Sequence, residues 1–196
     1  MRHVRTGRDT PARQPSRRDI LRTLTGLAAA GMGAFSIDGL LARPAWAAGE
    51  FIALPEALPV PLLKLPDLDG NMVDLKAFLG RVVVVNFWIW WCPSCKRELQ
   101  ELQWLWQAHP HDQLMVLGVH VGGRTEKARA FVRKADISFP ILMDRRNAVA
   151  HRWGVTRYPM TVILDRKGLA RYVVYGSRQW NDEEARRVID GLLGQT

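Results

Sequence analysis

Two stretches of the chain are apolar almost without interruption, RVVVVNFW at residues 81–88 and LMVLGVHV at 114–121. Dense β-branching without alternation suits strands covered on both faces. Between them, Leu99, Leu102, Leu105 and Trp106 recur at helical spacing and predict a helix from Pro93 to Ala108. A strand, a helix and a second strand in that order imply parallel strands joined by a right-handed crossover.

The rest of the pattern fills in around this unit. LLKL (62–65) and MVDL (72–75), with Asp69-Gly70 between them, predict a hairpin. KAFLG makes a short helical turn that stops at Gly80. Thr125–Ala135 is a helix with Phe131 and Val132 on its apolar side, FPILMD is a short extended piece, and Asn147–Trp153 is helical up to Gly154. MTVILD (160–165) and ARYVVY (170–175) flank the turn Arg166-Lys167-Gly168. A last helix is expected to start at Asn181, with Glu184 as its capping partner and Val188, Ile189, Leu192 and Leu193 facing inward. The order describes an α/β sandwich with a central sheet flanked by helices. Residues 48–60, with Pro55 and Pro59, lack periodicity and read as a linker, apart from a short element near Glu50–Ala53. The folded domain is expected over 61–196.

Charge divides the chain differently. Of a net charge of +9 over 196 residues, the first 47 contribute +5, from eight Arg and three acids. They also hold Arg17-Arg18 after Ser16, an apolar but Gly-diluted stretch, and Ala45-Trp46-Ala47. A basic leader, an apolar segment and a small-x-small end describe an export signal. The arginine pair resembles the twin-arginine motif, which implies periplasmic export with cleavage after Ala47. The membrane is then involved only if the signal stays uncleaved. No basic stripe interleaved with aromatics appears in the remainder, which argues against nucleic acid as a partner.

The only two cysteines, Cys92 and Cys95, sit in WIWWCPSCKREL, and a metal half-site, a structural staple or a redox pair all use such spacing. So small a loop makes a poor staple, because cross-link stabilisation grows with loop length. Cys92 follows a buried strand and opens a helix, with Pro93 where its missing N–H costs nothing. Helix N-terminal amides lower a thiol pKa from about 8.5 into the range of roughly 3.5–7.5. Cys95 lies one turn further in, near enough to resolve a mixed disulfide formed at Cys92.

NFWIWWCPSCKREL, followed at a distance by GVTRYPMTVILDRKG, resembles the TlpA/ResA-like branch of the thioredoxin superfamily. The resemblance covers about residues 60–193. It implies a thioredoxin-like fold with a mixed central sheet, an N-terminal β-hairpin and a central insertion near 122–143. It implies an exported thiol-disulfide oxidoreductase, a reductase of protein disulfides such as those of cytochrome c maturation, with no cofactor and no metal. The implied partners are client protein disulfides and a membrane electron donor. Cys92 would be the nucleophile, Cys95 the resolving thiol and Pro159 a cis-proline facing the disulfide. Where thioredoxins proper carry an Asp six residues before the first cysteine, this chain has Asn86; the branch instead carries a Glu three residues after the second, and Glu98 stands there. Glu98 shares a helix face with Cys95 and would accept its proton. Tyr158 precedes the proline where many relatives have a smaller residue, and Met160 replaces a Glu associated with dedicated cytochrome-maturation members.

Trp91, Pro93 and Tyr158 are the candidate partner-contacting residues, exposed aromatics beside a reactive thiol being good contact area. Trp104, Trp106 and Trp153 are expected in the core, His109 and His111 in a solvated loop, and His120 and His151 in structural positions. Three rivals remain. Sco-type copper chaperones on this fold place three residues between their cysteines and add a distant His; here the gap is two and Lys96 follows. Peroxiredoxins present Thr or Ser three residues before the attacking cysteine, where this chain has Ile89. The last is a binding module with an inert disulfide.

Overall fold

The computed structural model describes residues 49–195. The expected export signal, residues 1–47, lies outside them. Eight strands and four α-helices follow in the order β1 (Phe51–Pro59), β2 (Lys64–Pro66), β3 (Met72–Asp74), β4 (Val82–Trp88), α1 (Pro93–Ala108), β5 (Leu114–Val121), α2 (Thr125–Lys134), β6 (Ile141–Asp144), α3 (Ala148–Arg152), β7 (Met160–Leu164), β8 (Leu169–Tyr175) and α4 (Glu183–Leu193), with a 3-10 turn at Leu75–Phe78.

Six strands form one mixed sheet in the order β1-β8-β7-β4-β5-β6. β4, β5 and β6 run parallel, and β7, β8 and β1 are added antiparallel. The two uninterrupted apolar runs are its centre: every residue of β4 and β5 is buried. That burial is why neither strand alternates. β2 and β3 pair as the expected hairpin, held at its turn by the Asp67 carboxylate, which accepts the backbone N–H groups of Asp69 and Asn71.

The linker expected at 48–60 is a correction: Phe51–Pro59 is an edge strand of the main sheet. Phe51, Ile52 and Ala53 pair with Val174, Val173 and Tyr172, the register then shifts, and Leu58 and Pro59 pair with Ala170 and Leu169. Pro55 falls in the shift and Pro59 at the strand end, the positions where an edge strand tolerates a residue without an N–H. The last helix also starts later than expected. Its cap is Asp182, whose carboxylate accepts from Ala185 N–H, while Glu184 turns to Arg178 instead of closing a capping box. Trp104 is 40% exposed and not core; Trp106 and Trp153 are buried as expected. His109 and His111 are partly tied down, His109 to the Leu105 carbonyl and His111 stacked on Trp106 at 3.6 Å. His120 is fully buried edge-on to Trp88, and burial lowers its pKa to about 4.

The topology gathers chemistry at one end of the sheet. β4 runs out at Trp88 and leads within four residues to Cys92 at the start of α1. β7 enters at that same end, because the antiparallel register sets Met160 opposite Phe87.

Candidate active site

Cys92 is the N-cap of α1, and Pro93 occupies the first turn, where the helix needs no donor from it. A helix start leaves amide N–H groups without intrahelical acceptors. Here the Cys92 sulfur takes one, accepting the Cys95 N–H at 3.1 Å. The Ser94 hydroxyl lies 3.2 Å from the same sulfur. These contacts, with the positive end of the helix dipole, favour negative charge on Cys92 once the pair is reduced.

Cys92 and Cys95 are joined as a disulfide, with their Cα atoms 5.3 Å apart. Cys95 is fully buried and Cys92 keeps 7% of its surface. Cys92 is therefore less open than an attacking sulfur was expected to be, yet it is the only one of the two that solvent or a partner reaches. Trp91, directly before it, is 64% exposed. Pro93 is exposed, Tyr158 half-buried and Pro159 buried. The Tyr158–Pro159 peptide bond is cis.

Glu98 is completely buried, not the solvated helix residue its charge suggests. Its Oε1 accepts two hydrogen bonds, from Thr161 Oγ1 at 3.1 Å and from Trp180 Nε1 at 3.1 Å. Thr161 in turn accepts from Asn86 Nδ2 at 2.8 Å. Burial pushes the Glu98 carboxyl up from its ordinary value of 4.5 to about 8; the bonds from Trp180 and Thr161 and the charge of Arg178 act against that rise. The bond from Glu98 to Thr161 also ties the helix carrying both cysteines to the strand that begins just after Pro159. A side-chain network of Asn86, Thr161, Glu98 and Trp180 therefore links α1 to β4, β7 and the segment before α4.

Three members of this network had no role in the sequence reading. Thr161 and Trp180 reach Glu98 from 63 and 82 residues away. Asn86 stands out in the sequence only as the residue at the position of the Asp of thioredoxins proper. Nothing local marks these residues; only the sheet order brings them to Glu98. Among the described residues no group of three His, Cys, Asp or Glu side chains comes together as a metal-binding cluster. Ile89, three residues before Cys92, is buried and supplies no hydroxyl.

A mixed six-stranded sheet with a cysteine pair spanning the first turn of its crossover helix defines a thioredoxin-like thiol-disulfide oxidoreductase. Comparison with known proteins narrows the class. The chain belongs to the AhpC/TSA family, whose model matches residues 57–173. It is ResA-like within that family. The thiol-disulfide oxidoreductase ResA of Geobacillus thermodenitrificans is 30% identical over 133 residues, which span 68% of this chain and 76% of the relative. A DsbF homologue from Corynebacterium diphtheriae superposes with a TM-score of 0.63 at 25% identity, covering 71% of this chain and 89% of that one. A secreted Mycobacterium tuberculosis disulfide oxidoreductase homologous to E. coli DsbE shares the fold, with a TM-score of 0.57 at 24% identity over 65% of this chain and 95% of that one.

Proposed function

We propose that the protein is an exported dithiol reductase of protein disulfides, with Cys92 as the attacking thiolate and Cys95 as the resolving thiol. The observation that carries this reading is the capping role of the Cys92 sulfur. It accepts a helix N-terminal N–H, it keeps the pair's only exposed surface, and its partner sulfur is bonded one turn behind it.

The cycle balances as follows. Cys92 attacks a client disulfide, one client sulfur leaves as a thiolate, and a mixed disulfide forms. Cys95 then attacks the Cys92 sulfur, giving up its proton to Glu98; the protein disulfide closes and the client leaves fully reduced. Two electrons pass from the protein dithiol to the client disulfide. A membrane electron donor that returns the pair to its dithiol form completes the cycle. Trp91, Pro93 and Tyr158 frame Cys92 as client contacts, with Trp91 the main one because most of its indole is solvent-facing. Pro159 holds the client backbone against the exposed sulfur. Export by the twin-arginine route to the periplasm rests on residues 1–47, and the clients include proteins of cytochrome c maturation.

Removing the resolving thiol stops the cycle halfway. A Cys95→Ser variant in the native compartment is expected to accumulate a mixed disulfide between Cys92 and its clients, seen as bands of higher mass that collapse on reduction. Mass spectrometry of those bands names the clients. If Cys95→Ser gives the same pattern as Cys92→Ser, with neither forming adducts, the reading fails.

A further inference from the structure

Among the described residues, Glu98 is the one carboxyl with no exposed surface, and its two oxygens are treated differently. Oε1 receives both available donors, the Thr161 hydroxyl and the Trp180 indole N–H. Oε2 is buried and has no hydrogen-bond partner, and neither has Asn86 Oδ1. Asn86 has committed its Nδ2 to Thr161. Two buried acceptors left without a donor are costly. A proton on Oε2 turns one of these orphan acceptors into a donor. The hydrogen bonds of the cluster run from Asn86 Nδ2 to Thr161 Oγ1 and from Thr161 Oγ1 to Glu98 Oε1.

Trp180 supports this cluster from outside. It is fully buried, and its own ring is held edge-on by Phe51 of β1, centroids 5.6 Å apart. Its backbone N–H points to Glu101 Oε2 at 3.4 Å. Arg178 stands over Phe51 at 3.8 Å and is anchored by Asp182, Glu184 and the Gly49 carbonyl. The indole is thus fixed from several sides with its N–H on the carboxyl. That aim is not a general habit of buried tryptophans in this molecule, since Trp88 and Trp153 both leave Nε1 without a partner.

We propose that Trp180 is a positioning residue for the proton transfer at Cys95: with Thr161 it holds Glu98 Oε1 as the acceptor oxygen, so that Oε2 is the atom that takes and returns the proton. This rests on the assignment of Glu98 as proton acceptor. As Cys95 attacks the mixed disulfide, its S–H bond breaks, the Oε2–H bond forms, the Cys92–Cys95 bond closes and the client thiolate leaves. The N–H of Trp180 favours the ionised carboxylate, so it keeps Glu98 able to accept a proton near neutral pH. Few other groups act on that balance. β4 and β7 bring the neutral Asn86 and Thr161. The segment before α4 brings Arg178, whose charge also favours the carboxylate. α1 itself brings Cys95 and, a turn further on, Glu101.

The test removes the N–H and keeps the ring. Trp180→Phe, and in parallel a benzothiophene analogue of tryptophan incorporated at position 180, are studied as full-length oxidised and reduced protein. The Glu98 carboxyl is followed by carbon NMR against pH, with Glu98→Gln identifying the signal. Both replacements are expected to raise the Glu98 midpoint by about one unit, a tenfold loss of carboxylate at a given pH, and to move the pH profile of disulfide reduction upward by the same amount. The isosteric analogue keeps the packing, so a fault confined to Trp180→Phe does not decide the matter. An unchanged Glu98 midpoint in the analogue overturns the proposal. A pH profile that is identical in wild type and Glu98→Gln removes Glu98 from the reaction, and with it the reading on which the proposal rests.

Discussion

Cys92→Ser is expected to lower disulfide-reduction activity at least about a thousandfold, to the level of the uncatalysed reaction. Serine keeps the capping geometry: its hydroxyl accepts the Cys95 N–H much as the sulfur does, and a helix N-cap is a favoured place for it. The fold should therefore survive. The nucleophile is lost, because an alcohol stays protonated at neutral pH and cannot be exchanged by a disulfide. Cys95 does not substitute, being fully buried behind it. The measurement is steady-state reduction of a disulfide-linked peptide, followed by thiol release, with thermal unfolding as the check on folding. Full activity in the serine variant would remove Cys92 from the mechanism.

Glu98→Gln is expected to stabilise the oxidised protein by roughly 3 kcal/mol at pH 7 and to change its stability little below pH 4. The direction follows from proton counting. Burial lifts the Glu98 carboxyl from 4.5 to about 8. Between those values the native state keeps a proton that the unfolded chain has released. Native stability therefore falls as pH rises through that window, by about 1.4 kcal/mol per unit, and levels off above it. Below 4.5 both states are protonated and there is nothing to lose. Glutamine does not titrate. Its carbonyl can still accept from Trp180 and Thr161, so it imitates the neutral acid. Urea unfolding at a series of pH values checks this: wild type and variant should converge in acid and separate toward neutrality. Equal stabilities at pH 7 would mean that Glu98 is not buried in the way described. The same variant should reduce disulfides about a hundredfold more slowly, having no base for Cys95. A group that costs stability and serves the chemistry is a common trade at active sites.

Much of this was legible locally. The runs at 82–88 and 114–121 are as buried as their composition implied, and the helix between them spans the expected residues. The cysteine pair and Glu98 lie within one short helical stretch, so spacing alone put them on neighbouring turns. Two kinds of feature stayed hidden. Phe51–Pro59 was obscured because its prolines argue against a strand unless that strand lies at an edge, and edge position is a property of the assembled sheet. Trp180 and Thr161 act on Glu98 only through the register of β7 beside β4 and the path of the chain into α4. Trp104 failed for a simpler reason: on a helix rich in apolar residues, the apolar pattern did not separate it from the buried face formed by Leu99, Leu102 and Trp106.

The central claim is that the amides opening α1 make Cys92 an unusually acidic thiol. Its direct test is titration of the single remaining thiol in reduced Cys95→Ser protein, by the ultraviolet absorbance of the thiolate and by the rate of alkylation. A midpoint below about 7.5 is the predicted result. A midpoint at or above the value of roughly 8.5 for a free cysteine contradicts it.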